Sequence, residues 1–219
     1  MGKHIYLFPN LGADFRIFQR LVIEGAETHA IHYVPPLPKE SILDYCGRLK
    51  VQIGHERPIF LGGSFGGILA IELAQLMEVE QLILVASIKS ALEKPLDMRF
   101  FKKLPLYRLI PAESIKKFVK LGSRFFSMED ATGFDLYKTM LLETDDDFLT
   151  WGMQQVVQWK RETPPPNLVH IHGDKDEVFP LRYLQKPFYV IEGGQHFMLY
   201  DRAEEIGALV SAILREKTI

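Results

Sequence analysis

Cysteine is nearly absent: Cys46 stands alone among 219 residues, which excludes an internal disulfide and gives no sign of an oxidising compartment. It falls inside a helical pattern and reads as a small packing residue rather than a nucleophile. Long apolar runs are missing too, since none approaches the roughly 18 residues that a spanning helix needs. The first apolar stretch stops at Pro9, too early for a signal-peptide core. Tyr6 stands where a myristoylation motif wants Ser or Thr. The expectation is a cytoplasmic protein without a membrane span. Charge of one sign is also lacking. The net charge of −2 gives no reason to expect a nucleic-acid partner. The glycines between positions 62 and 67 lack the lysine and spacing of a P-loop, and no metal-ligand motif is present, so no cofactor and no metal are expected. What remains is an ordinary globular composition, 47% apolar and 25% charged. Its length suits one large domain or a core with an insertion.

Taken in order, apolar strands alternate with helical patterns. Strands are predicted over His4–Phe8, Thr28–Val34, Pro58–Leu61 and Gln81–Ala86, each closed by proline or a turn. Helices are predicted over Phe15–Gly25, where Phe15, Phe18, Leu21 and Val22 recur at helical spacing, over Ser41–Ile53 with Ser41 as cap, and over Gly66–Met77. The pattern resumes with strands at Asn167–His172 and Pro187–Glu192 and a helix over about 202–215. The strands are apolar throughout, as in a parallel sheet covered on both faces.

Between residues 88 and 166 the strand signal vanishes. The segment is aromatic (Phe100, Phe101, Phe118, Phe125, Phe126, Phe134, Phe148, Trp151, Trp159) and ends in the stiff run Thr163-Pro164-Pro165-Pro166. It is far longer than a crossover needs. We read 88–166 as a helical cap inserted into a core formed by 1–87 and 167–219. Its first half is basic (Arg99, Lys102, Lys103, Arg108, Lys116, Lys117, Lys120, Arg124). Its second half is acidic (Glu129, Asp130, Asp135, Glu143, Asp145, Asp146, Asp147). Two solvated faces that pair with each other explain this; so does a basic rim that attracts an anionic substrate. Met98, Met128, Met140 and Met153 read as cap core, with an acyl pocket as the alternative.

Gly62-Gly63-Ser64-Phe65-Gly66 fits G-x-S-x-G between a strand and a helix. In that pattern a strained serine sits at the apex, and neighbours on both sides come too close for a Cβ. As a bare pentapeptide it could equally be a glycine-rich turn. A serine nucleophile needs a base, and the base needs an anchored carboxylate. Both follow, each beyond a later strand: His172-Gly173-Asp174-Lys175-Asp176-Glu177, then Gly193-Gly194-Gln195-His196.

In this order and context, the elbow, the His-Gly-Asp-Lys-Asp turn and Gly-Gly-Gln-His resemble the α/β-hydrolase superfamily over essentially the whole chain. The resemblance implies a three-layer α/β fold with a mainly parallel sheet of about six strands. It implies Ser64 as nucleophile, His196 as base and Asp176 as the acid, three residues after the turn glycine, with Asp174 and Glu177 as competitors. The loop after the fourth strand offers no carboxylate before Glu93. The oxyanion hole would use the backbone N–H of Phe65 and of Leu11. Many relatives carry His-Gly-x-Gly where this chain has Pro9-Asn10-Leu11-Gly12. His172 matches a structural position, and His4, His29, His32, His55 and His170 read as packing or surface residues.

The function implied is a serine hydrolase that cleaves a carboxylic ester or thioester of a small-molecule substrate through a Ser-His-Asp triad and an acyl-enzyme, with the acyl chain length left open. Thioester cleavage on coenzyme A or phosphopantetheine, or C–C hydrolase or lyase chemistry, is the alternative within the fold. A ligand-binding protein with a disabled oxyanion hole, suggested by Asn10, is the alternative from another class.

Overall fold

The inner strands of the sheet lack polar alternation because they lie between two cores, whereas the edge strands are partly exposed. The strands are β1 (Lys3–Phe8), β2 (Ala26–Ala30), β3 (Ile59–Gly63), β4 (Gln81–Val85), β5 (Leu168–Gly173) and β6 (Tyr189–Ile191). In β1, Ile5 and Leu7 enter one core while Tyr6 and Phe8 enter the other. In β3, Ile59 and Leu61 divide from Phe60 in the same way. The computed structural model, which describes residues 2–96, 98, 113, 114, 116 and 131–216, joins them in one sheet of order β2-β1-β3-β4-β5-β6 with every pairing parallel.

One face is covered by α1 (Ile42–Leu49) and α2 (Phe65–Leu73), through Tyr45, Leu49, Ile68 and Leu69. All nine residues of α2 are buried, so burial rather than an amphipathic stripe fixes its place. Between β4 and β5 the chain supplies α3 (Ala131–Glu143) and α4 (Asp146–Gln158). After β6 come the short α5 (Met198–Asp201) and then α6 (Ala203–Glu216), whose Ile206, Val210 and Leu214 cover the other face. Because β1 leads outward to β2 while β3 leads the other way to β4, the loops after β1 and β3 flank a topological switch point. Open α/β sheets bind ligands there.

Several predicted boundaries shift. The helix expected over Phe15–Gly25 is one 3₁₀ turn, Phe15–Phe18, capped by Asp14, whose side chain accepts the Arg16 N–H. Phe15 and Val22 are exposed and the buried residues are Ile17, Phe18 and Ile23, so the helical spacing did not mark a buried face. The chain there lies directly on α6: a Cβ on Gly207 would stand 2.2 Å from the Val22 carbonyl oxygen, and the Glu24 N–H donates to Ser211 Oγ at 2.9 Å. The strand expected over Thr28–Val34 ends at Ala30, beyond which Ile31 gives one bond to Leu7. The helix expected over Ser41–Ile53 is α1, with Ser41 accepting the Asp44 N–H, followed by a 3₁₀ turn over Lys50–Gln52. Cys46 is fully buried and its thiol donates to the Leu69 carbonyl.

Of the residues read as a basic half, Arg99, Lys102, Lys103, Arg108, Lys117, Lys120 and Arg124 lie outside the described residues. So do Phe100, Phe101, Phe118, Phe125, Phe126, Met128, Glu129 and Asp130. Lys116 pairs with Asp146 at 2.5 Å and donates to the Thr144 carbonyl, basic half to acidic half. Among the described residues no helix is long and apolar enough to cross a membrane.

Glycine to alanine inside a helix ordinarily stabilises by about 0.5–1 kcal/mol. At Gly207 the sign should reverse, because the neighbour in the way is backbone. Urea unfolding of Gly207→Ala should show a loss of about 1–3 kcal/mol.

Candidate active site

The turn from β3 into α2 is built around missing side chains. Ser64 has φ 48° and ψ −120°, a left-handed conformation that a non-glycine residue holds only where its surroundings enforce it. The enforcement is steric. A Cβ on Gly62 would lie 2.6 Å from the Gly66 backbone, and one on Gly66 would lie 2.2 Å from the Phe8 carbonyl oxygen. Hydrogen bonds complete it: the Ser64 N–H donates to the Val85 carbonyl at 3.1 Å, and Ser87 Oγ donates to the Ser64 carbonyl at 2.6 Å. Ala86, between those partners, is itself at φ 48°.

Asp176 and His196 come from the loops after β5 and β6, and the structure brings both to Ser64. His196 Nε2 lies 2.8 Å from Ser64 Oγ, and His196 Nδ1 lies 2.9 Å from Asp176 Oδ2. All three side chains are buried. Asp176 Oδ1 accepts the N–H groups of Val178 and Phe179, both at 2.8 Å. Its Oδ2 also lies 3.1 Å from His172 Nε2. Burial alone would raise this carboxyl, but the His196 charge and the bonds from His172 and His196 outweigh it and hold it well below the usual carboxylate range. The competing acids are elsewhere: Asp174 and Glu177 are exposed, and Asp174 Oδ1 accepts the Gly193 N–H. Glu93, also fully buried, accepts the N–H groups of Lys89 and Gln185.

Two further histidines extend the chain of bonds behind the acid. His172 Nε2 lies 2.8 Å from the Phe179 carbonyl, and His172 Nδ1 lies 3.3 Å from His170 Nε2, which in turn faces the Ser87 carbonyl at 3.0 Å. With N–H on His170 Nε2, that nitrogen can donate to the Ser87 carbonyl and His172 Nδ1 can accept, while His170 Nδ1 is buried without a partner. Burial, then the neighbouring His172 and Lys89, lowers the His170 pKa to about 3.

The turn after β1 stands beside the elbow. The Asn10 carbonyl accepts the Ala13 N–H at 3.1 Å, so in the trans peptide Asn10–Leu11 the Leu11 N–H points the opposite way, out of the turn. Among the described residues neither the Leu11 nor the Phe65 N–H has a protein acceptor. Leu11 is held from two sides. Tyr137 Oη donates to its carbonyl at 3.4 Å, and a Cβ on Gly152 would stand 2.5 Å from Leu11 Cδ1. Asn10 is buried against Gly63, with no hydrogen-bond partner for either side-chain polar atom.

These elements enclose a cavity of about 280 Å³ in which Ser64, His196, Asn10, Leu11 and Phe65 meet Met98, Tyr137, Met153, Val156, Val157, Val178, Phe179 and Phe197. Met153 and Met98 therefore face the cavity, whereas Met140 is core. No metal-ligand cluster lies around it among the described residues. Reading the sequence did not find Tyr137, Gly152, Ser87 or the His170–His172 pair.

A model of the alpha/beta hydrolase family matches residues 7–209, and the chain belongs to that family. A carboxylesterase of the ammonia-oxidising thaumarchaeon Nitrososphaera gargenis superposes with TM-score 0.70 at 16% identity, over 99% of this chain and 91% of that one. A bromoperoxidase from Bacillus anthracis superposes with TM-score 0.71 at 15% identity over 98% and 92%. The enol-lactonase from Burkholderia xenovorans gives 0.69 at 14% identity over 98% and 92%. At such identities the likeness is one of fold. No curated protein sequence matches the chain.

Because His170 is neutral when folded down to about pH 3, the unfolded chain binds the extra proton between about pH 6.5 and that value. Stability should therefore fall as pH drops through this window, by about 2 kcal/mol from this group between pH 6.5 and about 4.5. Urea midpoints across that range should fall less steeply in His170→Leu than in the wild type.

Proposed function

We propose that this chain is an ester-bond hydrolase (EC 3.1) that cleaves a small carboxylic ester or thioester through an acyl-enzyme on Ser64. The observation that carries the reading is the Ser64–His196–Asp176 relay, 2.8 and 2.9 Å long, opening on an apolar cavity. His196 Nε2 would take the Ser64 proton as Oγ adds to the carbonyl carbon, and the Leu11 and Phe65 amides would hold the resulting oxyanion. Collapse breaks the C–O or C–S bond, and His196 returns the proton to the leaving alcohol or thiol. Water, deprotonated by His196, then releases the acid and regenerates Ser64. Asp176 holds the imidazole in the Nδ1–H tautomer throughout.

The carboxylesterase and the enol-lactonase named above act on ester bonds, which agrees with this class. Residues 88–166 serve in it as the cap, with Met153, Val156 and Val157 lining the acyl site. A cavity of about 280 Å³ is at the small end for ligand sites, which favours short acyl groups. The thioesterase alternative rests on cap basicity, and the pairing of Lys116 with Asp146 favours charges that neutralise each other. The binding-protein alternative rests on Asn10, and the outward Leu11 N–H weighs against it.

A fluorophosphonate probe should label the wild type and neither Ser64→Ala nor His196→Ala. Turnover should drop by about 10³-fold or more in Ser64→Ala while its circular dichroism is kept. An unlabelled, well-folded wild type would overturn the reading. Among p-nitrophenyl esters, Met153→Trp should lower kcat/KM for octanoate by about tenfold or more while leaving acetate within about threefold. Acyl-CoA turnover that exceeds ester turnover and weakens with salt would instead favour the thioesterase.

A further inference from the structure

Three imidazoles meet on the α1/α2 face of the sheet, towards the amino-terminal end of β1 and away from the edge that carries Ser64. In the parallel register His4 pairs with Glu27 and Tyr6 with His29, so His4, Tyr6, Glu27 and His29 project from one face of neighbouring strands. His55, in the loop between the 3₁₀ turn Lys50–Gln52 and β3, folds over them. Its ring stacks on His4 with centroids 3.5 Å apart and planes 10° apart, and its centroid is 5.0 Å from that of His29. Each histidine offers one nitrogen such that all three lie within 4.8 Å of one another. His4 Nδ1 and His29 Nε2 are 3.1 Å apart. Glu27 adds carboxylate oxygens 3.6 Å from His4 Nδ1 and 3.9 Å from His29 Nε2.

We propose that His4, His29 and His55, with Glu27 as a fourth donor, bind a divalent transition-metal ion of the zinc class. A tetrahedral ion with bonds of roughly 2.0–2.1 Å spaces its donors by about 3.4 Å. The His4–His29 separation is close to that value, and the Glu27 distances exceed it by about half an ångström or less. A rotation of the His55 ring out of its stack brings in the third nitrogen. Imidazole donors select zinc, nickel or copper over magnesium and calcium. An outer partner is in place: His55 Nδ1 lies 2.8 Å from Tyr6 Oη, which also accepts the Gly54 N–H at 2.9 Å. With the ion on Nε2, the His55 Nδ1–H donates to that phenol oxygen and fixes the ring.

The donors come from the edge strand β2, from β1 and from the loop before β3, so the ion would tie the sheet edge and that loop together. It would bind the folded chain alone and raise its melting temperature by mass action. This inference does not rest on the reading of Ser64, and its test uses no turnover.

Chelator-stripped protein should bind one Zn²⁺ per chain in calorimetry, with a rise in Tm that EDTA reverses and Mg²⁺ does not produce. Co²⁺ should give the visible absorption of a tetrahedral site. His29→Ala should weaken zinc binding at least tenfold. Glu27→Gln, at an exposed side chain whose loss leaves the fold intact, should weaken it severalfold, and His32→Ala should match the wild type. Absence of stoichiometric zinc binding by the wild type would overturn the proposal. So would wild-type affinity in Glu27→Gln and His29→Ala together, which would put the ion elsewhere.

Discussion

The site depends on one close approach: the Gly66 backbone rests against the carbonyl end of β1, where a single methyl group would lie 2.2 Å from the Phe8 oxygen. That contact forces Ser64 into its left-handed conformation and brings the turn Pro9–Ala13 alongside the elbow. The Leu11 and Phe65 amides, over fifty positions apart in the chain, share a cavity for this reason. The strand order makes the same contact possible. β1 and β3 are neighbours that send their chains in opposite directions, and the crevice left between them is where the cavity opens.

A buried carboxylate beside that crevice would be intolerable alone. Asp176 is tolerated because four donors surround it: two backbone N–H groups on one oxygen and two imidazoles on the other. The outer imidazole, His172, is itself held by its neighbours, since His170 and the Phe179 carbonyl take its two ends. The histidine pair thus secures the acid from behind while His196 engages it from the cavity side. A serine–histidine–carboxylate relay needs such an anchor, because an acid free to rotate would not hold one imidazole tautomer. The geometry required for a proton relay is therefore built from the same bonds that keep the charge buried.

Much of this was legible in the sequence, for identifiable reasons. The strands showed because both sheet faces are buried, which leaves unbroken apolar runs such as Ile59–Leu61 and Leu82–Val85. Ser64, Asp176 and His196 showed because each follows a strand and carries its own local pattern, and the structure brings the three together. The helix expected over Phe15–Gly25 failed because its apolar spacing was accidental: Val22 presents its backbone to Gly207 and its side chain to solvent. The support from Ser87 and Tyr137 was hidden because each acts through a contact far along the chain, with no signature near it. Asn10 looked like a departure that would disturb the turn after β1, yet the bond from Ala13 to its carbonyl orients that peptide without a glycine.

Helix α4 shows why the lining of the cavity was harder to read than the convergence of Ser64, Asp176 and His196. Phe148, Trp151 and Gly152 form one stripe at helical spacing, and Met153, Val156 and Val157 form another. Both are apolar, so periodicity cannot say which faces the core and which the cavity. The structure decides through a single small residue. Gly152 lets α4 settle onto Leu11, the Phe148–Trp151 edge locks against Tyr45 and Phe65, and the second stripe is thereby turned to the cavity beside Ser64. On the proposed function, substitutions at 153, 156 and 157 would reshape the cavity beside Ser64 while the Ser64–His196–Asp176 bonds stay in place. Substitutions at 148, 151 and 152 would instead disturb how α4 seats on the turn after β1. Two neighbouring stripes of one helix thus take different places, one on the turn after β1 and one on the cavity, a division set by packing that no residue in either stripe announces alone.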